Sequence, residues 1–169
     1  MNVLLVDGYN IIGDWVELQR LKDKDMAQAR DRLIELMAEY QAYSGYKVIV
    51  VFDAYEVRGR ESKLQQFKIE VIYTKEKETA DERIERLVGE LSNIKTQVYV
   101  ATSDFAEQRI IFGQGALRKS ARELYIELKD IEREIDFRLK EHQATRPQSK
   151  IALDKDILEK FEKMRRGEE

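Results

Sequence analysis

The sequence predicts a three-layer α/β fold with a central, mainly parallel sheet flanked by helices. Residues 3–6 form an apolar run that is followed directly by Asp7. An apolar run that ends in an acid is typical of a parallel strand buried on both faces. The same arrangement returns at residues 48–53 and 98–104, with helical patterns between the runs. Strands that alternate with helices indicate right-handed βαβ units.

Length and composition indicate a single domain with one core. The chain has 169 residues, of which 43% are hydrophobic and 37% are charged. It contains no cysteine, which excludes disulfide partners, thiolate nucleophiles and cysteine-based zinc sites. No stretch approaches the ~18 apolar residues of a membrane span, and no basic region precedes the first strand. We therefore expect a soluble, cytoplasmic protein.

The first half of the chain is predicted to contain three strands and one long helix. Asp25 is a helix-capping residue, apolar residues then recur at helical spacing, and Gly45 closes the helix. Residues 47–52 form a second β-rich run, and the alternation at 67–71 indicates a half-buried edge strand. The polar residues 55–66 between them indicate a loop.

The second half repeats this alternation and is predicted to end in helices. Thr79 and Ser120 each begin a capping box, and an apolar stripe follows each of them. The other expected elements are a strand at 97–101, a short helix at 105–112, a turn at 113–115, a short last strand at 116–119 and a final helix at 154–166.

Acidic residues collect at the predicted carboxyl ends of the strands. Asp7, Asp53 and Asp104 each follow a strand, and Asp81 lies at the start of a helix. Ligands of open α/β sheets bind at this edge, so four carboxylates can converge on one point. Carboxylates with water favour Mg²⁺ or Mn²⁺. Such ions suit phosphodiester hydrolysis, because they activate water and neutralise phosphoryl charge.

Each of these residues also has an ordinary structural explanation. Asp7 before Gly8 could start a turn, Asp81 suits the first turn of a helix, and Asn10 could form an Asx-turn. The joint occurrence of the acids at one edge is what favours a site. The single histidine, His142, lies far from them in sequence, so we expect it on the surface and exclude a Ser-His-Asp triad.

Contacts with nucleic acid are expected to be local, because the net charge is −3. Residues 108–122 contain four basic residues and no acid, and residues 55–77 contain more basic residues, diluted by four glutamates. Tyr9, Tyr55 and Phe105 could stack on bases, with core packing as the alternative. The residues expected to contact the phosphates of a nucleic acid are Arg58, Arg60, Lys63, Arg109, Arg118, Lys119 and Arg122.

Four short motifs occur in order along the chain: Val-Asp-Gly-Tyr-Asn at 6–10, Val-Phe-Asp-Ala at 51–54, Lys-Glu-Thr-Ala-Asp at 77–81 and Ala-Thr-Ser-Asp at 101–104. Together they resemble the NYN domains of the PIN-like nuclease superfamily, in particular the bacterial YacP-type branch. The resemblance implies a PIN-like, Rossmannoid fold. We expect an NYN nuclease domain at 1–142 and a C-terminal helical extension at 143–169.

The resemblance also implies a function, that of a metal-dependent endoribonuclease acting on single-stranded RNA. It implies Mg²⁺ or Mn²⁺ as cofactor, with Asp7, Asp81 and Asp104 as metal-binding acids. The full catalytic set that it implies is Asp7, Asn10, Asp53, Asp81 and Asp104. We expect mRNA as the substrate. Because the net charge is −3, efficient cutting is expected only when a larger assembly, such as the ribosome, presents the strand.

One departure from the family pattern keeps alternatives open. Many PIN-like nucleases carry a second aspartate at the position of Ala106, so either one or two metal ions fit this chain. A catalytically weak RNA-binding module on the same fold is a second hypothesis. A receiver-like regulator with Asp53 as phosphoacceptor is a third, but it leaves Asp81 and Asn10 unexplained.

Overall fold

The computed structural model describes residues 1–54, 68–104, 113–145 and 165. In these ranges the strands are β1 (Asn2–Asp7), β2 (Lys47–Phe52), β3 (Glu70–Tyr73), β4 (Gln97–Ala101) and β5 (Leu117–Lys119). The helices are α1 (Gly8–Asp14), α2 (Val16–Lys24), α3 (Met26–Ser44), α4 (Ala80–Leu91) and α5 (Ala121–Thr145). The expected loop at 55–66 and short helix at 105–112 lie outside the described residues. So does the final helix at 154–166, apart from residue 165.

The five strands of the described segments form one parallel sheet in the order β3-β2-β1-β4-β5. The predicted α/β fold with a parallel central sheet is thereby confirmed. Strand β1 pairs with β2 on one side and with β4 on the other, so the connections leave β1 in opposite directions. Such a topological switch point opens a crevice at the carboxyl ends of the strands.

Helices cover both faces of the sheet, which explains why the central strands are apolar at nearly every position. On one face, Leu5 belongs to a buried cluster with Ile84 and Val88 of α4. Successive strand residues point to opposite faces, and helices α1 and α3 also contact the sheet. The hydroxyl of Tyr40 in α3 donates to Oε2 of Glu127 in α5 at 2.7 Å, so these two helices are neighbours.

The predicted helix caps are present. Oδ1 of Asp25 accepts from the backbone N–H of Ala27 at 3.0 Å, and Gly45 ends α3 in the left-handed conformation with φ 77°. The hydroxyl of Ser120 likewise accepts from the N–H of Glu123 at 3.0 Å at the start of α5. These local signals therefore fix the ends of the long helices correctly.

Helices α1 and α2 lie between the first strand and α3, where the sequence predicts no helix. Helix α1 begins at Gly8, directly after Asp7. Glycine is needed there because a Cβ atom would lie 2.3 Å from Cε1 of Phe52. Helices this short are marginal on their own, so packing against the sheet rather than a sustained apolar stripe decides that they form.

The edge strand β3 starts later than the alternation at 67–71 predicts. Lys68 and Ile69 form a bend, and pairing with β2 begins at Glu70. The pairing is prolonged beyond the predicted end by Thr74, whose N–H donates to the carbonyl of Phe52 at 3.0 Å. The edge position is confirmed, but register with β2 sets the bounds.

Contacts group the chain into two compact units, Met1–Ile131 and Glu132–Glu169. The first unit contains the sheet and α1 to α4. In the second unit, Nη2 of Arg138 lies 3.1 Å from Oε1 of Glu134, one helical turn away.

The predicted division into 1–142 and 143–169 stays a prediction. His142 is exposed, as expected. None of the helices in the described ranges has the length and apolar character needed to cross a bilayer.

Candidate active site

A cavity of about 390 Å³ opens at the carboxyl edge of the sheet. It lies at the switch point, where the ends of β1 and β4 diverge and where ligands of such sheets bind. The described residues that line it are Asp7, Tyr9, Asn10, Asp53, Thr79, Ala80, Asp81 and Asp104. The structure therefore brings all five predicted catalytic residues to one cavity, although their chemical roles stay predictions.

Asp7 is the buried acid of this cavity. It ends β1 and is 7% exposed. Burial, followed by the negative charge of Asp81, raises the pKa of the Asp7 carboxyl to about 7. Asp104 and Asp53 add smaller repulsions, and the backbone N–H of Asn10 opposes them. That N–H does not reach the geometry of a capping hydrogen bond, so Asp7 does not serve as a helix cap.

Asp81 is exposed near the start of α4, where Thr79 does the capping. The Thr79 hydroxyl accepts from the backbone N–H of Glu82 at 3.2 Å. Asp81 is therefore not required as the cap, although the helix dipole favours its charge. The preceding acid, Glu78, accepts from Nη2 of Arg83 at 2.7 Å. This hydrogen bond with Arg83 lowers the pKa of Glu78, which indicates a structural role for that residue.

Asp53 and Asp104 are positioned by buried threonines. The N–H of Ala54, next to Asp53, donates to Oγ1 of Thr74 at 2.9 Å. The N–H of Asp104 donates to Oγ1 of Thr102 at 3.1 Å. Thr74 and Thr102 are both buried, so each loop is held just beyond its strand.

Asn10 links the two sides of the switch point. Its Oδ1 accepts from the backbone N–H of Ser103 at 2.7 Å and from the Ser103 hydroxyl at 2.6 Å. These contacts span 93 residues of sequence, so the predicted alternative of a local Asx-turn does not apply. Because Oδ1 already accepts two hydrogen bonds, the side-chain amide nitrogen is the group suited to a water or a phosphate.

Tyr9 lines the cavity but is anchored in the protein. Its ring packs against Phe52 with a centroid distance of 5.1 Å, and its hydroxyl accepts from Nη1 of Arg30 at 3.1 Å. This anchoring favours the packing alternative over base stacking; the other expected stacking residues, Tyr55 and Phe105, lie outside the described segments. The sequence pattern does not single out Arg30, because an arginine within a helix usually indicates a solvated face.

Comparison with known proteins identifies the family. The YacP-like NYN domain family matches residues 4–166. This chain belongs to that family. The uncharacterized protein YacP of Bacillus subtilis (strain 168) is 57% identical over 168 residues, 99% of each chain.

Solved structures agree with this assignment. The crystal structure of Rae1 (YacP) from Bacillus subtilis matches with a TM-score of 0.74 and 55% identity, over 99% of this chain and 96% of that one. A mutant of Rae1 gives a TM-score of 0.76 and 54% identity, over 90% and 91% of the two chains. Because NYN domains are nuclease-like, family membership supports a nuclease-like, RNA-related role.

The basic residues predicted to contact RNA differ in how exposed they are. Lys119 is 8% exposed, and its Nζ lies 2.7 Å from Oε1 of Glu127 and 5.1 Å from the centre of the Tyr99 ring. A phosphate contact would require an exposed ammonium group, so this burial argues against an RNA contact by Lys119, and the contact stays a prediction. The residue stabilises the junction of β5, α3 and α5 instead.

Of the other residues predicted to contact RNA, Arg118 and Arg122 lie in the described ranges. Arg118 is half-buried. Arg122 is exposed and lines a separate cavity of about 290 Å³ with Trp15 and Tyr125. The others lie outside the described residues: Arg58, Arg60, Lys63 and Arg109.

The acidic side chains of the NYN domain are compatible with a divalent cation held partly through water. In the described ranges, no three acidic or histidine side chains are already arranged to hold one ion. Mg²⁺ usually keeps several waters and takes one or two carboxylates, so fewer direct ligands suffice. The repulsion that raises the pKa of Asp7 would be relieved by a cation. Metal binding by Asp7, Asp81 and Asp104 stays a prediction.

Proposed function

We propose that this NYN domain is a Mg²⁺- or Mn²⁺-dependent endoribonuclease that hydrolyses phosphodiester bonds of single-stranded RNA. The observation that carries the proposal is the convergence of four aspartates on one cavity at the switch point of the sheet. Crowded carboxylates in a partly buried site are costly without a cation. The site offers no histidine in the described cavity lining, so acid–base chemistry based on imidazole has no support.

In this proposal, the residues of the cavity have different roles. Asp7, Asp81 and Asp104 would hold the cation, and Asn10 keeps the loop after β4 against α1. A bound divalent cation would lower the pKa of water and neutralise charge on the phosphoryl group. Since the pKa of Asp7 is about 7, its carboxyl is partly protonated near neutral pH, and a bound cation would favour loss of that proton. Metal affinity should therefore rise with pH.

The proposed substrate is mRNA presented as a single strand by a larger assembly, with the ribosome as the candidate. The net charge of −3 gives no general attraction for RNA. The cavity itself repels phosphate until a cation enters. An assembly that holds the strand in place supplies effective concentration that the enzyme's own field does not.

Cleavage of an end-labelled single-stranded RNA tests the activity. We expect cuts with Mn²⁺ or Mg²⁺, none with EDTA, and a loss of at least about tenfold for Asp81→Asn. The matched control is Asp23→Asn, which removes an exposed carboxylate on α2 away from the cavity lining and should cut as the wild type does. Equal cleavage by Asp81→Asn and wild type would contradict the proposal.

A second candidate is an RNA-binding module that cuts weakly or not at all. It is favoured by the absence, among the described side chains, of three acids arranged to hold one ion. This candidate predicts RNA binding that EDTA does not abolish and no cleavage with either metal.

A further inference from the structure

A second cavity, of about 290 Å³, opens where the junction of α1 and α2 meets the start of α5. Its wall is fixed by Trp15, which is 4% exposed. The indole Nε1 donates to the carbonyl of Ala121 at 2.9 Å, and the ring packs edge to face with Tyr125 at a centroid distance of 5.6 Å. The cavity is therefore held in shape by contacts between distant segments. Its lining consists of Asp14, Trp15, Val16, Arg122 and Tyr125.

The exposed side chains of this lining combine apolar surface with charge. Tyr125 is 39% exposed and Val16 is 59% exposed. Arg122 is also exposed, and a guanidinium is well suited to phosphate oxygens. Nζ of Lys129 adds a second positive charge 5.3 Å from the centre of the Tyr125 ring. The Asp14 carboxylate offers an acceptor beside these donors, which suits a ligand with hydroxyl groups as well as a phosphate. A nucleotide has this combination, and aromatic rings and cations together are typical of sites for single-stranded nucleic acid.

The second cavity adjoins the acidic cavity along α1. Asn10 lines the acidic cavity, and Asp14 lines the second one. Residues four apart in a helix lie on the same face, with Cβ atoms about 6 Å apart. Successive phosphates of one strand are spaced by about 3.4 Å along a helical stack. A single strand with a nucleotide in the acidic cavity can therefore reach the second cavity within a few nucleotides.

We propose that the second cavity binds a nucleotide of the same RNA strand that enters the acidic cavity. The Arg122 guanidinium donates to a phosphate oxygen, and the base packs against Tyr125 and Val16. The Asp14 carboxylate accepts from a ribose hydroxyl. The cavity thereby supplies a local affinity for RNA that the net charge of −3 does not. This inference rests on the proposed function for the identity of its ligand.

The single tryptophan of the chain, Trp15, is a reporter for this cavity because it forms part of the wall. Hexaadenylate in EDTA, where no cutting is expected, should change the fluorescence of Trp15. Fluorescence anisotropy of the end-labelled hexamer gives Kd independently. Tyr125→Ala should raise Kd by roughly 5- to 100-fold, the effect of losing one contact between a base and an aromatic ring. Tyr125→Phe keeps the ring and should bind as the wild type does.

Arg122→Ala tests the phosphate contact. It should raise Kd for hexaadenylate by roughly 2- to 5-fold, because the contact is exposed to solvent. With Mn²⁺, KM for cleavage should rise by a similar factor, whereas kcat should change much less. Lys95→Ala is the matched control, because it removes one exposed positive charge before β4, at the amino edge of the sheet. It should bind hexaadenylate as the wild type does.

Two results would overturn this inference. One is unchanged Trp15 fluorescence at hexaadenylate concentrations where anisotropy shows binding. The other is a wild-type Kd for both Arg122→Ala and Tyr125→Ala, with urea unfolding showing that both are folded. If the second result came with lost co-sedimentation with ribosomes, the cavity would be a docking site for protein instead.

The same measurements separate this inference from the proposed function. If the wild type binds hexaadenylate with the expected Trp15 response but cuts no RNA with either metal, the proposed function fails and this inference stands. If the wild type cuts RNA while Arg122→Ala and Tyr125→Ala keep its Kd and KM, this inference fails and the proposed function stands. If the wild type binds no RNA, both fail.

Discussion

At the scale of single residues, Asp7 differs from the other acids of the cavity. Asp7 is buried, whereas Asp53 and Asp104 are half-buried and Asp81 is exposed. Burial therefore disfavours the ionised form of the Asp7 carboxyl, and the negative charges of the neighbouring aspartates disfavour it further. A buried acid of this kind destabilises the fold when it is ionised, unless a cation compensates it.

The pH dependence of stability should report this cost. The pKa of Asp7 is raised from 3.8 to about 7 on folding, so the folded protein binds the proton more tightly than the unfolded chain. Its contribution to stability is complete below pH 3.8 and is lost as the pH rises through 7. In EDTA at pH 8, the free energy of unfolding of Asp7→Asn should exceed that of the wild type by at least about 1 kcal/mol. Urea unfolding measures this difference.

The same comparison at lower pH supplies the control. At pH 5 the advantage of Asp7→Asn should shrink, because wild-type Asp7 is then protonated. Mn²⁺ at pH 8 should stabilise wild type more than Asp7→Asn. If Asp7→Asn is less stable than the wild type at pH 8 in EDTA, the ionised Asp7 carboxylate does not destabilise the fold.

At the scale of elements, the packing of α1 against β2 sets the position of two residues of the site. Helix α1 carries Tyr9 and Asn10, and its first residue, Gly8, lies against Phe52 of β2. A methyl group there would displace a fully buried ring. The close approach of these two elements therefore decides where Tyr9 and Asn10 lie in the cavity.

Gly8→Ala should destabilise the protein by about 1–3 kcal/mol, as overpacking of a core does. Gly13→Ala is the matched control in the same helix, because nothing lies within 4 Å of its added Cβ. It should be neutral or stabilising by up to about 1 kcal/mol. Urea unfolding measures both. In a Phe52→Leu background Gly8→Ala should cost less, and an unchanged cost there would rule out this clash as the cause.

The junction of β5, α3 and α5 gives a second prediction at this scale. Lys119 pairs with Glu127 among tyrosine rings, so Lys119→Ala should lower the free energy of unfolding by about 1–3 kcal/mol. RNA affinity of the folded protein should stay unchanged. Arg122→Ala, at an exposed site on α5, should instead leave stability within about 0.5 kcal/mol.

RNA titrations at several salt concentrations separate these two roles. Arg122→Ala should weaken binding and reduce the salt slope by about one unit if Arg122 contacts one phosphate. If Lys119→Ala binds RNA more weakly but is as stable as the wild type, Lys119 contacts RNA. Unchanged affinity for Arg122→Ala would make that residue part of the solvated surface.

At the scale of the whole molecule, the net charge and the acidic cavity bear on the proposed function, because they would oppose unaided capture of RNA. The net charge is −3, and the described cavity lining holds four aspartates. The protein should therefore cut naked mRNA slowly and with little selectivity, and cut the same mRNA faster during translation. Cleavage rates, cut sites and co-sedimentation with ribosomes measure this. Equal rates and sites in both settings, without co-sedimentation, would show that the enzyme works unaided.

The sequence by itself determined the features that depend on local pattern. Apolar runs that end in Asp7, Asp53 and Asp104 predicted the strands and the edge where the acids meet, because strand direction places all carboxyl ends together. Capping residues such as Asp25 and Thr79 predicted helix starts, because caps act within one turn. The four motifs predicted the family, which comparison confirmed.

The tertiary structure alone decided the features that depend on long-range contacts. Lys119 of β5 is buried against Glu127 of α5. A basic segment of the sequence looks the same whether its lysine is buried in such a contact or exposed at the surface. Asn10 binds Ser103 across the switch point, and Arg30 lies behind Tyr9. The burial of a side chain and the identity of its hydrogen-bond partner depend on how segments distant in sequence pack together. A local sequence pattern does not predict them.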